Sequence, residues 1–202
     1  MTSTFHLNQK RFWVAIISGL AGLSILIGSL FATGKVFAAF PLTGIGGYEV
    51  AMSGIDAKGF KLYPAIGETS EKAKWPQAAV ELSEATIKGL VITKGINVSD
   101  SLGAYGIHTI DVVISATGDV TGKGFLLNVT NIDADIANFK ELEVSEKFKQ
   151  NPIETFGLNA PNMKLTDAAL NTHSMFINSI QLPGLNVTVV PHDKNGNVVG
   201  GK

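Results

Sequence analysis

Cysteine is absent from the 202 residues of this chain. That excludes a disulfide-stapled scaffold, a thiolate-bound zinc or iron–sulfur centre, and a thiol nucleophile. Acidic side chains are missing from the whole N-terminal part, since all 17 lie beyond position 48. Residues 12–31 carry no charge of either sign. The net charge is only −1 and the lysines and aromatics do not cluster, which argues against a nucleic-acid partner. Histidine is scarce as well. Beyond residue 38 only His108, His173 and His192 remain, and no two of them stand at the i, i+4 spacing of a zinc site. The Gly-x-Ser-x-Gly elbow of a hydrolase is also missing, because Ser53 in Ala51-Met52-Ser53-Gly54 lacks the preceding glycine.

What is present falls into two parts. Lys10-Arg11 precedes Phe12–Phe31, a run of apolar, glycine and serine residues only. As a helix, such a run spans about 30 Å, the thickness of a bilayer core. Val36-Phe37-Ala38 before Ala39 offers the small residues that a signal peptidase reads. Residues 1–38 are therefore expected to be a signal peptide or a membrane anchor, with cleavage after Ala38 preferred. Residues 39–202 are expected to be an extracytoplasmic, net-acidic β-rich domain, membrane-anchored or secreted.

In this second part apolar and polar residues alternate with the period of a strand. His108–Ala116 puts Ile110, Val112, Ile114 and Ala116 on one face and Asp111 and Ser115 on the other. Leu185–Val189, Val80–Ser83, Met163–Thr166 and Phe60–Leu62 repeat the pattern. Glycine-containing breakers such as Lys58-Gly59, Gly122-Lys123-Gly124 and Pro183-Gly184 punctuate it. Asn195-Gly196 is a favoured hairpin turn joining Val189–His192 to Val198-Val199. Lys-Gly stands before an apolar start at Lys58-Gly59-Phe60, Lys88-Gly89-Leu90 and Lys123-Gly124-Phe125. These echoes keep a β-solenoid as runner-up. The leading expectation is a mainly β fold: an antiparallel roll, sandwich or open barrel behind the N-terminal helix. Ile136–Gln150 is the best helix candidate, and it reads equally as a strand followed by a loop.

Candidate chemistry is thin. Asp133 and Asp135 share one face of a strand and mark a possible weak calcium site, without the twelve-residue calcium loop. Gly118–Gly124 lacks the full spacing of a phosphate-binding loop and reads better as a hairpin turn. Phe125, Leu127 and Phe176 are candidates for an apolar groove holding a lipid, or for core. Trp75, at the end of the polar stretch 67–76, is a candidate contact for a partner or a membrane. No cofactor is implied.

Taken together these residues resemble an uncharacterised family of exported actinobacterial proteins, some of which carry a cholesterol-esterase label. The likeness runs through Lys10-Arg11-Phe12, Phe37–Phe40, Met52–Phe60, Pro76–Ser83 and Ala85–Leu90. It continues at Phe156-Gly157, Leu165-Thr166 and from Phe176 through Val189. The resemblance implies an extracytoplasmic location and supplies no catalytic residue. Members of that family carry a cysteine just after the segment matching Ile87–Leu90 and another near the C-terminus. Here Val91 follows and no cysteine exists. The expected function is a non-enzymatic, envelope-associated structural or lipid-related role. The alternative is an accessory subunit of a membrane or cell-surface assembly, binding a protein partner through an exposed sheet edge.

Overall fold

A computed structural model of the chain describes residues 46–146 and 155–200. The apolar run 12–31, the junction at Ala38-Ala39 and residues 147–150 of the helix candidate lie outside the described residues. No described helix is long and apolar enough to cross a membrane.

The expectation of a mainly β, antiparallel architecture holds. β1 (Tyr48–Gly67), β2 (Trp75–Lys88) and β3 (Val91–Asn97) come first, followed by a single helical turn, α1 (Ser99–Leu102), and a 3-10 turn. β4 (Thr109–Ala116), β5 (Val120–Lys140), β6 (Glu143–Glu146), β7 (Phe156–Gln181) and β8 (Leu185–His192) follow among the described residues. All eight strands form one sheet in the order β6-β7-β5-β2-β1-β3-β4-β8, with a further pairing of β7 to β1. That last pairing closes β1, β2, β5 and β7 into a ring. β3, β4 and β8 extend from it as an open arm.

The ring closes with a large stagger. From Leu62, one path reaches Leu127 on β5 through Val80. The other path passes through Leu158 to Val144 on β6, far along the same line of chain. Strongly tilted, coiled strands are what such an offset demands.

Coiling shows in which side chains point inward. On β1 the core takes Val50, Met52, Ile55, Ala57 and Phe60. On β2 and its continuation it takes Val80, Leu82, Ala85, Ile87 and Leu90, and on β7 Ala160, Met163, Leu165, Ala168 and Leu170. Inward positions thus recur at i, i+2, i+5, i+7 and i+10 on β1 and β2, and at i, i+3, i+5, i+8 and i+10 on β7, the same five-residue repeat in another phase. One ordinary alternation and one skip, in which two successive residues face out, take turns along each strand.

The Lys-Gly echoes are these skips. Gly59, Gly89 and Gly124 have φ of +65°, +60° and +65°, a left-handed conformation that bends the strand and resets its phase. The next residues, Phe60, Leu90 and Phe125, are all buried. Asp167, with φ 46°, makes the same skip on β7. The skips also line up across the sheet. The flanking pairs set Gly59 opposite Ser83, Ser83 opposite Gly124, and Gly124 opposite Asn178. One residue before each glycine, Lys58 on β1 and Lys123 on β5 reach Glu84 of β2 from both sides, at 3.3 and 3.2 Å.

One expectation needs correction, and the C-terminal hairpin forms in short compass. The helix candidate at 136–150 is strand as far as it is described: Ile136–Lys140 end β5, and Glu143–Glu146 form β6 against β7. Glu141, at φ 54°, bends the chain between them, and ladder pairing to β7 outweighs the helical spacing of Phe139 and Leu142. The C-terminal hairpin is only one bridge, His192 with Val198, supported by Val199 N–H donating to the Pro191 carbonyl at 2.8 Å.

Candidate functional site

Phe125 and Leu127 point into the ring and are core residues, each under a tenth exposed. Phe176, opposite Leu126 on the outer face, is 63% exposed. The three groove candidates therefore divide between the two faces of the sheet. An open groove of about 330 Å³ lies outside, along the aligned skips, lined by Ser83, Leu126, Phe176 and Asn178 with Lys61 and Glu81 at one side. Glu81 accepts a hydrogen bond from the Tyr63 hydroxyl at 2.7 Å, which pushes the phenol up to about 12.

Trp75 does not sit on a charged loop. It opens β2 opposite Gly67 and is half-buried, and the exposed polar turn ends before it. Asp133 and Asp135 are exposed on one face of β5, as their spacing predicts. Among the described residues, no three His, Asp or Glu side chains come together as a metal cage.

The histidines are dispersed. His108 Nδ1 lies 3.2 Å from Ser99 Oγ, and that hydroxyl is 3.3 Å from the His108 carbonyl. His192 Nε2 lies 3.0 Å from Asp111. The serine contact and this carboxylate contact thus belong to different histidines, whereas a triad needs both on one ring. His173 Nε2 is 3.1 Å from Thr130 Oγ1, and its Nδ1 is buried without a partner. Burial, and then the Lys94 ammonium, hold its imidazole below the ordinary histidine range.

The largest unassigned feature is the arm. In register, Ile92 on β3, Ile114 on β4 and Val187 on β8 stand side by side, and Val50 of the ring core is the next residue in that row. The core-facing side of the ring therefore continues onto the arm. There it carries Ile92, Ile96, Ile110, Val112, Ile114, Leu185, Val187 and Val189, interrupted only by Lys94. Val50 is 2% exposed, whereas Leu185, Val187 and Val189 are 54, 56 and 59% exposed. Moving along the row, an interior becomes an uncovered surface. Sequence alternation showed the apolar faces within His108–Ala116 and Leu185–Val189, but alternation is the same whether a face is covered or bare.

The model of a family of unknown function, DUF6230, matches residues 46–196. The chain belongs to DUF6230. The match runs from the residues just before β1 to the turn after β8, so the ring and the arm both lie within DUF6230. No curated protein and no solved structure matches the chain.

Proposed function

We propose that this chain is a non-enzymatic, envelope-associated protein with a structural or lipid-related role, and that its β-domain works by apolar contact. The observation that carries this reading is the arm. Leu185, Val187 and Val189 are more than half exposed on a face continuous with the core, and contiguous exposed apolar surface marks an interaction site. The uncharged run 12–31 behind Lys10-Arg11 supports a position beside a bilayer. The exported, actinobacterial setting implied by the resemblance belongs to the same proposal. Phe125 and Leu127 fill the ring, so an acyl chain would lie against the open arm and not inside the domain.

The test uses the full chain, whose lack of cysteine allows single labels. Val189→Cys carrying a polarity-sensitive dye is reconstituted into phosphatidylcholine–phosphatidylglycerol vesicles. The expected result is a blue-shifted emission quenched by brominated lipid, while Glu71→Cys on the exposed 68–74 turn reports water. Equal, unquenched emission at both positions would overturn the proposal.

A second reading, an accessory subunit that binds a protein partner, is favoured by one separate observation. β8 is the end strand of the sheet, and Leu185–Val190 carries no charge.

A further inference from the structure

We infer that β8 pairs with β8 of a second copy of this chain, antiparallel and centred on Val187, joining two arms into one six-stranded apolar face. The directions of the backbone groups carry the argument first. His192 presents its carbonyl to β4, where His108 N–H donates at 2.8 Å, while Pro191 presents its carbonyl to the opposite side, where Val199 N–H donates at 2.8 Å. Main-chain groups alternate sides along an antiparallel strand. Leu185, Val187 and Val189 therefore aim N–H and C=O away from β4, at the open edge. A row of such groups is a template for another strand.

The two ends of the sheet are treated differently. β6, at one end, carries Glu143 and Glu146 on a strand of only four residues, the usual guarded form. β8 has neither charge, proline nor bulge from Leu185 to Val190. Its far end is capped by the Val198–Val199 segment at Pro191 and His192, which leaves 185–189 as the open stretch.

Self-complementarity selects a second copy as occupant. Antiparallel pairing about Val187 sets Leu185 against Val189 of the other chain and Val187 against its twin. Apolar side chains then share one face, and Asn186 and Thr188 share the other. No charge on either strand meets a like charge. A two-fold axis through an edge strand makes a closed, isologous contact, so the assembly stops at two. The apolar side chains are those of the lipid-contact reading, but the inference itself rests on the edge. Its experiment is run in detergent without vesicles, so either can fail while the other stands.

The experiment introduces one cysteine at a time into the full chain in a mild non-ionic detergent and oxidises it with copper-phenanthroline. Val187→Cys is expected to form a covalent dimer at least about tenfold faster than Ser145→Cys on β6 or Thr188→Cys on the other face. The basis is that a disulfide needs Cα atoms within roughly 7 Å. Val187→Pro, which removes a donor only from the open side, is expected to convert a two-copy particle to one copy in sedimentation velocity, with unchanged far-UV circular dichroism. Cross-linking of Val187→Cys no faster than at Ser145, or fastest at Thr188, overturns the inference. A two-copy particle that persists in folded Val187→Pro does so too. If Val187→Pro fails to fold, the cysteine rates decide alone.

Discussion

Replacing Gly59 by alanine tests whether the Lys-Gly skips are what let each strand turn its apolar side chains inward at intervals of five. Two costs add. At φ +65° a side chain sits in the left-handed region, worth about 1–2 kcal/mol for a non-glycine residue. The new Cβ would also stand 2.2 Å from Ser83 Oγ and 3.0 Å from Ser83 Cβ. The hydroxyl can rotate away but the Cβ is fixed by the β2 backbone, so overpacking adds roughly 1–2 kcal/mol. Gly59→Ala is therefore expected to lower unfolding free energy by about 2–4 kcal/mol. Gly106→Ala is the matched control, because its φ is +78° and nothing lies within 4 Å of the added atom. It should cost only the backbone term of about 1–2 kcal/mol. In a Ser83→Gly background both opposing atoms vanish, and the cost of Gly59→Ala should fall to that of Gly106→Ala. Urea titration of the full chain in non-ionic detergent, read by far-UV circular dichroism and extrapolated linearly, measures all of these. A Gly59→Ala cost that is the same in both backgrounds, or within about 0.5 kcal/mol of zero, would refute the account of the skip.

The same titrations separate the two phenylalanines of the sequence-level groove. Phe125→Ala should cost about 3–5 kcal/mol through loss of buried contacts, whereas Phe176→Ala should stay within about 0.5 kcal/mol. Similar costs at both would contradict their placement on opposite faces. His173 predicts a pH effect of definite sign. Its folded-state proton affinity is depressed below the ordinary value of 6.5 by burial and then by Lys94. Its contribution to stability is thus present above 6.5 and is lost as pH falls through the lowered folded value. His173→Gln should flatten that part of the stability–pH curve, and an unchanged acid-side slope would count against the assignment.

Much of the fold was legible because strand alternation is a local signal. His108–Ala116 and Leu185–Val189 showed their faces directly, and the Lys-Gly echoes at Lys58, Lys88 and Lys123 were visible. The meaning of those echoes was not. A skip every two inward residues spoils any fixed two-residue period, so the window that finds β4 sees little order along β1 or β7. At Ile136–Lys140, where spacing fitted a helix equally well, the deciding force was a ladder to Thr166–Asn162, distant in sequence. Closure of the ring through β1 and β7 is non-local in the same way. Of the site residues, Phe125 and Phe176 differ by which side of a coiled sheet they occupy, and the skip at Gly124 sets that phase. Trp75 was a contact candidate because it ends a polar stretch. The Gly67 pairing that tucks it into β2 could not be read from that stretch.

The double pairing of β1 has a mechanical consequence. β1 follows directly on Gly46 and Gly47, and it is hydrogen-bonded along its length to β2 and β3 on one side and to β7 on the other. Tension applied through the preceding residues acts lengthwise on β1, parallel to both ladders. Such a strand cannot be peeled away one pair at a time; it has to slide past two neighbours at once, dragging Val50, Met52, Ile55 and Phe60 through the core. A pull from the other end meets β8, whose one ladder within the chain, among the described residues, is to β4. The domain is thus built to resist being drawn from its N-terminal side and to yield first at the C-terminal arm.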